Sequence, residues 1–233
     1  MGVRERIAVA LDTSNLDEAV EITKAVQPYV GIAKVGLQLF SAAGHTAVKA
    51  VQDTGIDVFL DLKLHDIPNT VYGASTVLGS LGVRYLTVHA SGGQAMLEAA
   101  VRGLSEGAAK VGLAPPTTLA VTVLTSDPEA SPELLLKRLN VATAAGCGGV
   151  VCAAPDLEVI RGTAPQIITV VPGIRPAGAD VNDQIRIATP RSAIASGADI
   201  LVIGRPITQA DNPAAAAEAI FKEVGYVLDS SDA

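Results

Sequence analysis

One unit repeats along this chain and narrows its possible folds sharply: a helix-like segment, a glycine, a short run rich in Val, Ile and Leu, then a polar residue. It recurs as GIAKVG (Gly31 to Gly36), GIDVFLDLK (Gly55 to Lys63), GVRYLTVHA (Gly82 to Ala90), GVVCAA (Gly149 to Ala154) and GADILVIGR (Gly197 to Arg205). RIAVALD (Arg6 to Asp12), TTLAVTVLT (Thr117 to Thr125) and QIITVVPG (Gln166 to Gly173) bring the strands to about eight, each followed by a helical pattern. Near-continuous apolar strands suit a parallel sheet buried on both faces. The glycines suit helix ends that need a left-handed residue.

The repeat and the length of 233 residues predict an α/β protein with one domain over residues 1–233. That domain is a (β/α)8 TIM barrel with its active site at the C-terminal ends of the strands. Residues 227–233 are expected to fray as a tail. A doubly wound open sheet is the alternative, but it calls for a glycine-rich fingerprint after the first strand, where LDTSNLD (Leu11 to Asp17) has none. A hydrophobic content of 49 % is ample for one large core.

Composition also excludes partners. A net charge of −7 and 3 % aromatic residues without Trp give neither a phosphate-tracking surface nor stacking platforms, so nucleic-acid binding is not expected. Local Arg and Lys can still hold a small anion. Cys147 and Cys152 lack both a CxxC spacing and nearby histidines, which argues for buried thiols over zinc or redox chemistry. The start MGVRER matches neither a myristoylation signal nor a signal peptide, and no apolar run is long enough to span a bilayer. The expectation is a cytoplasmic protein with no membrane association.

If the fold is a barrel, functional groups should end its strands, and they do: Asp12, Lys34, Asp61 with Lys63, His89, Thr125, Arg175 and Arg205 all fall there. Within FLDLKLHDIPNT (Phe59 to Thr70), Asp61 and Lys63 are two apart and so face one side of a strand, with Asp66 just beyond. The plain alternative is a structural ion pair followed by a helix-entry Asp before Pro68. Asp12 and Lys34 end neighbouring strands, so acids and bases interleave in one poorly solvated space. A Lys between carboxylates stays protonated. That argues against a Schiff-base lysine and for a lysine proton donor. The histidines His45, His65 and His89 are dispersed and form no metal cluster, although Asp12 and Asp61 alone could hold Mg²⁺. His65 and His89 read as packed or supporting histidines.

The stretch VPGIRPAGADVNDQIRIATP (Val171 to Pro190) is a long connection of the kind that serves as a lid. A barrel's usual phosphate site lies in the loops after strands 7 and 8. Arg175 and the pair Gly204 and Arg205 are therefore candidate phosphate binders, the alternative being surface arginines beside a turn glycine.

VFLDLKLHDIPNTV resembles the signature of the orotidine 5'-phosphate decarboxylase family. VALD, KVG, VHASGG, VTVLTS, VVPGIRP, DQ and VIGRPIT resemble its other blocks in the same order, from about Arg6 to Ala219. The resemblance implies decarboxylation of orotidine 5'-phosphate to UMP and CO₂ in pyrimidine synthesis, without metal or cofactor. It implies that Lys63 protonates C6, that Asp61 lies against the leaving carboxylate, and that Lys34 and Asp66 complete the charged array. Asp12 and Lys34 would hold the ribose, Thr125 the pyrimidine, and Gln184 both base and phosphate. Arg175, Gly204 and Arg205 would cradle the phosphate, and Pro172 would also bind substrate. Asp66, Ile67 and Thr70 would reach the neighbouring site of a homodimer. The rivals are a Mg²⁺-dependent sugar-phosphate decarboxylase or aldolase of the same superfamily, whose members carry an acid where this chain has Lys34, and a silent nucleotide-binding barrel.

Overall fold

A computed structural model describes residues 1–123, 131–176 and 188–231. Among these residues, eight parallel strands close into a barrel in chain order. They are β1 (Ile7–Ala10), β2 (Ile32–Gly36), β3 (Asp57–Leu64), β4 (Tyr85–His89), β5 (Thr117–Val121), β6 (Gly149–Val151), β7 (Ile168–Val171) and β8 (Ile200–Ile203). The intervening helices are α1 (Leu16–Val26), α2 (Leu37–Gln52), α3 (Pro68–Gly79), α4 (Gln94–Lys110), α5 (Pro132–Ala144), α6 (Leu157–Thr163) and α7 (Pro190–Ala195). A short α8 (Arg205–Thr208) and a long α9 (Pro213–Ser231) follow β8.

Alternation along each strand divides the apolar side chains into two cores. Ala8, Ala10, Ile32, Phe59, Tyr85, Leu119, Val170, Ile200 and Val202 fill the barrel interior. Their neighbours, such as Val9, Val35, Leu60, Leu86 and Leu201, point outward beneath the helices. Both faces are therefore buried, which is why the strands read as unbroken apolar runs. The interior is packed rather than hollow, with Phe59 and Tyr85 meeting edge-to-face at 6.1 Å. Gly55 (φ 84°) and Gly197 (φ 95°) make left-handed turns from helix into strand, where a side chain would be strained.

One sequence expectation changes in detail. The strand carrying Asp61 and Lys63 is not regular. Between the paired residues Leu60↔Leu86 and Leu64↔Val88, the run Asp61, Leu62 and Lys63 stands opposite Thr87 alone. This is a bulge, and Lys63 has a φ of 50° within it. At the C-terminus, α9 runs through residue 231. Ala217, Ile220, Val224 and Val227 keep an apolar stripe against the barrel that far, and Val227 is 8 % exposed.

Candidate active site

A cavity of about 310 Å³ opens at the C-terminal ends of the strands. Asp12, Lys34, Asp61, Lys63, Pro172, Arg175, Gly204 and Arg205 all line it. Its remaining wall is apolar, including Phe59, Val121, Val123, Val151, Cys152 and Val202. Such a site pairs a desolvating wall with a few charged groups, the combination expected of a small-molecule pocket.

The charges form a connected chain. Lys34 is buried at 7 % exposure and its Nζ lies 3.0 Å from Asp12 Oδ1 and 3.7 Å from Asp61 Oδ2. Lys63 Nζ donates to Asp61 Oδ2 at 2.7 Å. An ammonium thus stands between Asp12 and Asp61, where a divalent cation bridging those two carboxylates would have to sit. Among the described residues, no three His, Cys, Asp or Glu side chains gather as metal ligands.

Burial alone would raise the pKa of Asp61. The opposing charges of Lys34 and Lys63, with hydrogen bonds from Lys63 and Thr87, outweigh that penalty and hold the carboxyl below its ordinary value. Asp61 is therefore ionised at neutral pH. His89, at the end of β4, is pushed below the usual imidazole value by burial, then by His65, Lys63 and Arg138, with Asp61 opposing. The His65 and His89 rings lie 5.5 Å apart. A neutral His89 adds no further cation to the mouth.

On the ring of strands, β7 and β8 lie across from β3 and β4. Arg175 and Arg205 follow β7 and β8 and supply cations there, Arg175 buried and donating from its guanidinium to the backbone carbonyl of the preceding residue, Ile174, at 2.9 Å. Gly204 brings backbone to the same wall without a side chain in the way.

Three candidates lie elsewhere. Asp66 and Ile67, on the connection from β3 into α3, and Thr70, in the first turn of α3, are exposed and do not line this cavity. Asp66 Oδ1 accepts from the Ile67 N–H at 2.7 Å, and Ile67 is 66 % exposed. Thr125 and Gln184 fall outside the described residues.

Two features escaped the sequence reading. Cys152 is a wall residue of the cavity, and nothing but its place at the end of a strand could have signalled it. Thr87 is fully buried under the charged chain, donating to Asp61 Oδ1 at 2.8 Å and accepting from the Lys63 N–H at 2.9 Å. In YLTVH it looks like an ordinary β-branched strand residue.

Comparison with known proteins places the chain in a family. The family model for orotidine 5'-phosphate decarboxylase / HUMPS matches residues 5–220. The chain is 48 % identical over 227 residues to orotidine 5'-phosphate decarboxylase of Anaeromyxobacter sp. (strain K), covering 93 % of this chain and 96 % of that protein. It is 45 % identical over 239 residues to the enzyme of that name from Moorella thermoacetica, covering 97 % and 95 %. Among solved structures, orotidine 5'-phosphate decarboxylase from Lactobacillus acidophilus superposes with a TM-score of 0.81 at 36 % identity, covering 94 % of this chain and 99 % of that one. With the family model matched over residues 5–220 and a relative 48 % identical across 93 % of the chain, the chain belongs to the orotidine 5'-phosphate decarboxylase / HUMPS family.

Proposed function

We propose that this protein decarboxylates orotidine 5'-phosphate to UMP and CO₂ without metal or organic cofactor, Lys63 delivering the proton to C6. The observation that carries the reading is the chain of Asp12, Lys34, Asp61 and Lys63 at one side of a cavity whose other side supplies Arg175 and Arg205. Loss of CO₂ leaves an electron pair on C6 that no ring position can delocalise. A fixed ammonium beside that carbon stabilises the developing charge and then quenches it with a proton. Asp61, held ionised, orients Lys63 through their ion pair and lies against the carboxylate that leaves.

Asp12 and Lys34 hold the ribose in this reading. Arg175, Gly204 and Arg205 receive the phosphate, Pro172 also binds substrate, and the phosphate's binding energy is used at the reacting carbon. The resemblance extends to Thr125 for the pyrimidine and Gln184 for base and phosphate. Asp66, Ile67 and Thr70 serve the neighbouring site of a homodimer. Their exposure, and that of the apolar Ile67 above all, supports a partner surface there. Among the described residues no helix is long and apolar enough to cross a membrane, and we read the protein as cytoplasmic.

The family's name also covers a second group, and a Mg²⁺-dependent sugar-phosphate lyase is the rival. The ammonium of Lys34 between two carboxylates favours the metal-free reaction. The test is the loss of orotate absorbance when the protein meets orotidine 5'-phosphate with a metal chelator present. Conversion to UMP is expected. No conversion by folded, dimeric protein, with turnover of a sugar phosphate on adding Mg²⁺, would overturn the proposal.

A further inference from the structure

The bulge in β3 is an unusual place for a proton donor. A regular strand would satisfy its backbone through the ladder to β4, but Asp61, Leu62 and Lys63 face Thr87 alone and the ladder resumes only at Leu64↔Val88. Lys63 is also the one non-glycine residue with positive φ among those described. A left-handed backbone at a long, unbranched side chain is strained and persists only where its surroundings hold it. The Lys63 N–H, turned out of the ladder, still needs an acceptor at this part-buried position.

Thr87 supplies it. The hydroxyl accepts from the Lys63 N–H at 2.9 Å and donates to Asp61 Oδ1 at 2.8 Å. Its single proton goes to the carboxylate, so its lone pair must face the amide: the polarity of both bonds is fixed at once. The other Asp61 oxygen, Oδ2, is left for Lys63 Nζ at 2.7 Å and Lys34 Nζ at 3.7 Å. One buried side chain thereby sets the backbone of the proton donor and the rotation of the carboxylate that orients its ammonium. Thr87 does not line the cavity.

We propose that Thr87 is a positioning residue for the decarboxylation, its hydroxyl locking the strained Lys63 backbone and the Asp61 carboxylate into one arrangement. The inference rests on the decarboxylase reading above. It separates reactivity from binding, because the groups assigned to phosphate and ribose lie on other strands.

The experiment measures kcat, KM and UMP affinity for the wild type, Thr87→Val and Thr87→Ser, with folding checked by thermal unfolding. Valine matches the shape of threonine and can make neither bond. Thr87→Val is expected to lower kcat about 10- to 100-fold, the range for a lost hydrogen bond to a charged group, with UMP affinity within about 3-fold of wild type. Thr87→Ser, which keeps the hydroxyl, is expected to stay within about 3-fold on kcat. Should the valine variant not fold, Thr87→Ala makes the same deletion with a smaller side chain and the same expected split. Wild-type kcat in the hydroxyl-free variant, a serine variant as impaired as the valine one, or equal losses in kcat and UMP affinity would each overturn the inference. A wild type that does not convert orotidine 5'-phosphate would instead overturn the decarboxylase reading itself.

Discussion

The two ends of this barrel use charge in opposite ways. At the N-terminal end, Arg161 donates to Gly197 O at 2.9 and 2.6 Å, to Ile167 O at 2.9 Å, to Pro165 O at 3.1 Å and to Thr169 Oγ1 at 2.7 Å. It also pairs with Asp199 Oδ2 at 2.5 Å, and Arg84 pairs with Asp57 at the same end on the opposite side of the barrel. At the C-terminal end, Lys34 and Lys63 touch carboxylates but face an open cavity. Saturated ions clamp α6, β7 and β8 together. Ions turned toward a cavity are available to a ligand. The fold thus separates stability from chemistry along one axis, as barrels of this kind do.

That division can be broken by substitution. Replacing Lys63 by Ala should lower kcat by at least about 10⁴-fold, combining lost proton transfer with lost charge stabilisation, while the thermal transition stays near that of the wild type. Steady-state turnover beside calorimetry checks both halves, and near-normal kcat would remove Lys63 from the chemistry. Arg205→Ala should raise KM and lower kcat/KM by about 10²- to 10³-fold, the cost of one truncated partner in a charged contact. An unchanged kcat/KM for orotidine 5'-phosphate would end its phosphate role.

At the other end the readouts exchange places. Arg161→Ala should cost about 2–3 kcal/mol of stability, because it removes the short ion pair to Asp199 and the donor to the Pro165 and Ile167 carbonyls, and should leave kcat within about 2-fold. Urea unfolding and turnover on the same preparation decide it. The smallest effect concerns acid. Since the folded-state pKa of Asp61 is lowered, its stabilisation is complete above the ordinary carboxylate value of about 4 and is lost as pH falls below that through the folded value. Asp61→Asn should lack this component, giving a shallower loss of stability in unfolding curves taken between about pH 4 and pH 2.

The barrel was legible because its requirements are periodic. Strands buried on both faces must be apolar throughout, and turns such as those at Gly55 and Gly197 need glycine, so both leave marks in a single sequence. The meeting of Asp61 and Lys63 was legible too, but for an incomplete reason. The two-residue period assumes a regular strand, whereas a bulge and a left-handed Lys63 bring the pair together here. Bulges depend on the partner strand, and pattern along one strand does not show them. For the same reason Thr87 passed unseen: its role comes from standing opposite the bulge, not from its neighbours in sequence. Asp66 and Ile67 show the reverse case, where a motif suggests function at positions that a single chain leaves exposed.

The central claim is that Lys63 recognises negative charge at C6 rather than the nucleotide as a whole. The most direct test compares the affinities of wild type and Lys63→Ala for UMP and for a UMP analogue bearing a fixed negative charge at the C6 position. The account predicts that the substitution weakens the anionic analogue by at least about 100-fold and UMP by less than about 3-fold, as expected for a group complementary to the transition state. Equal losses for the two ligands would contradict it, and would make Lys63 a general binding residue instead.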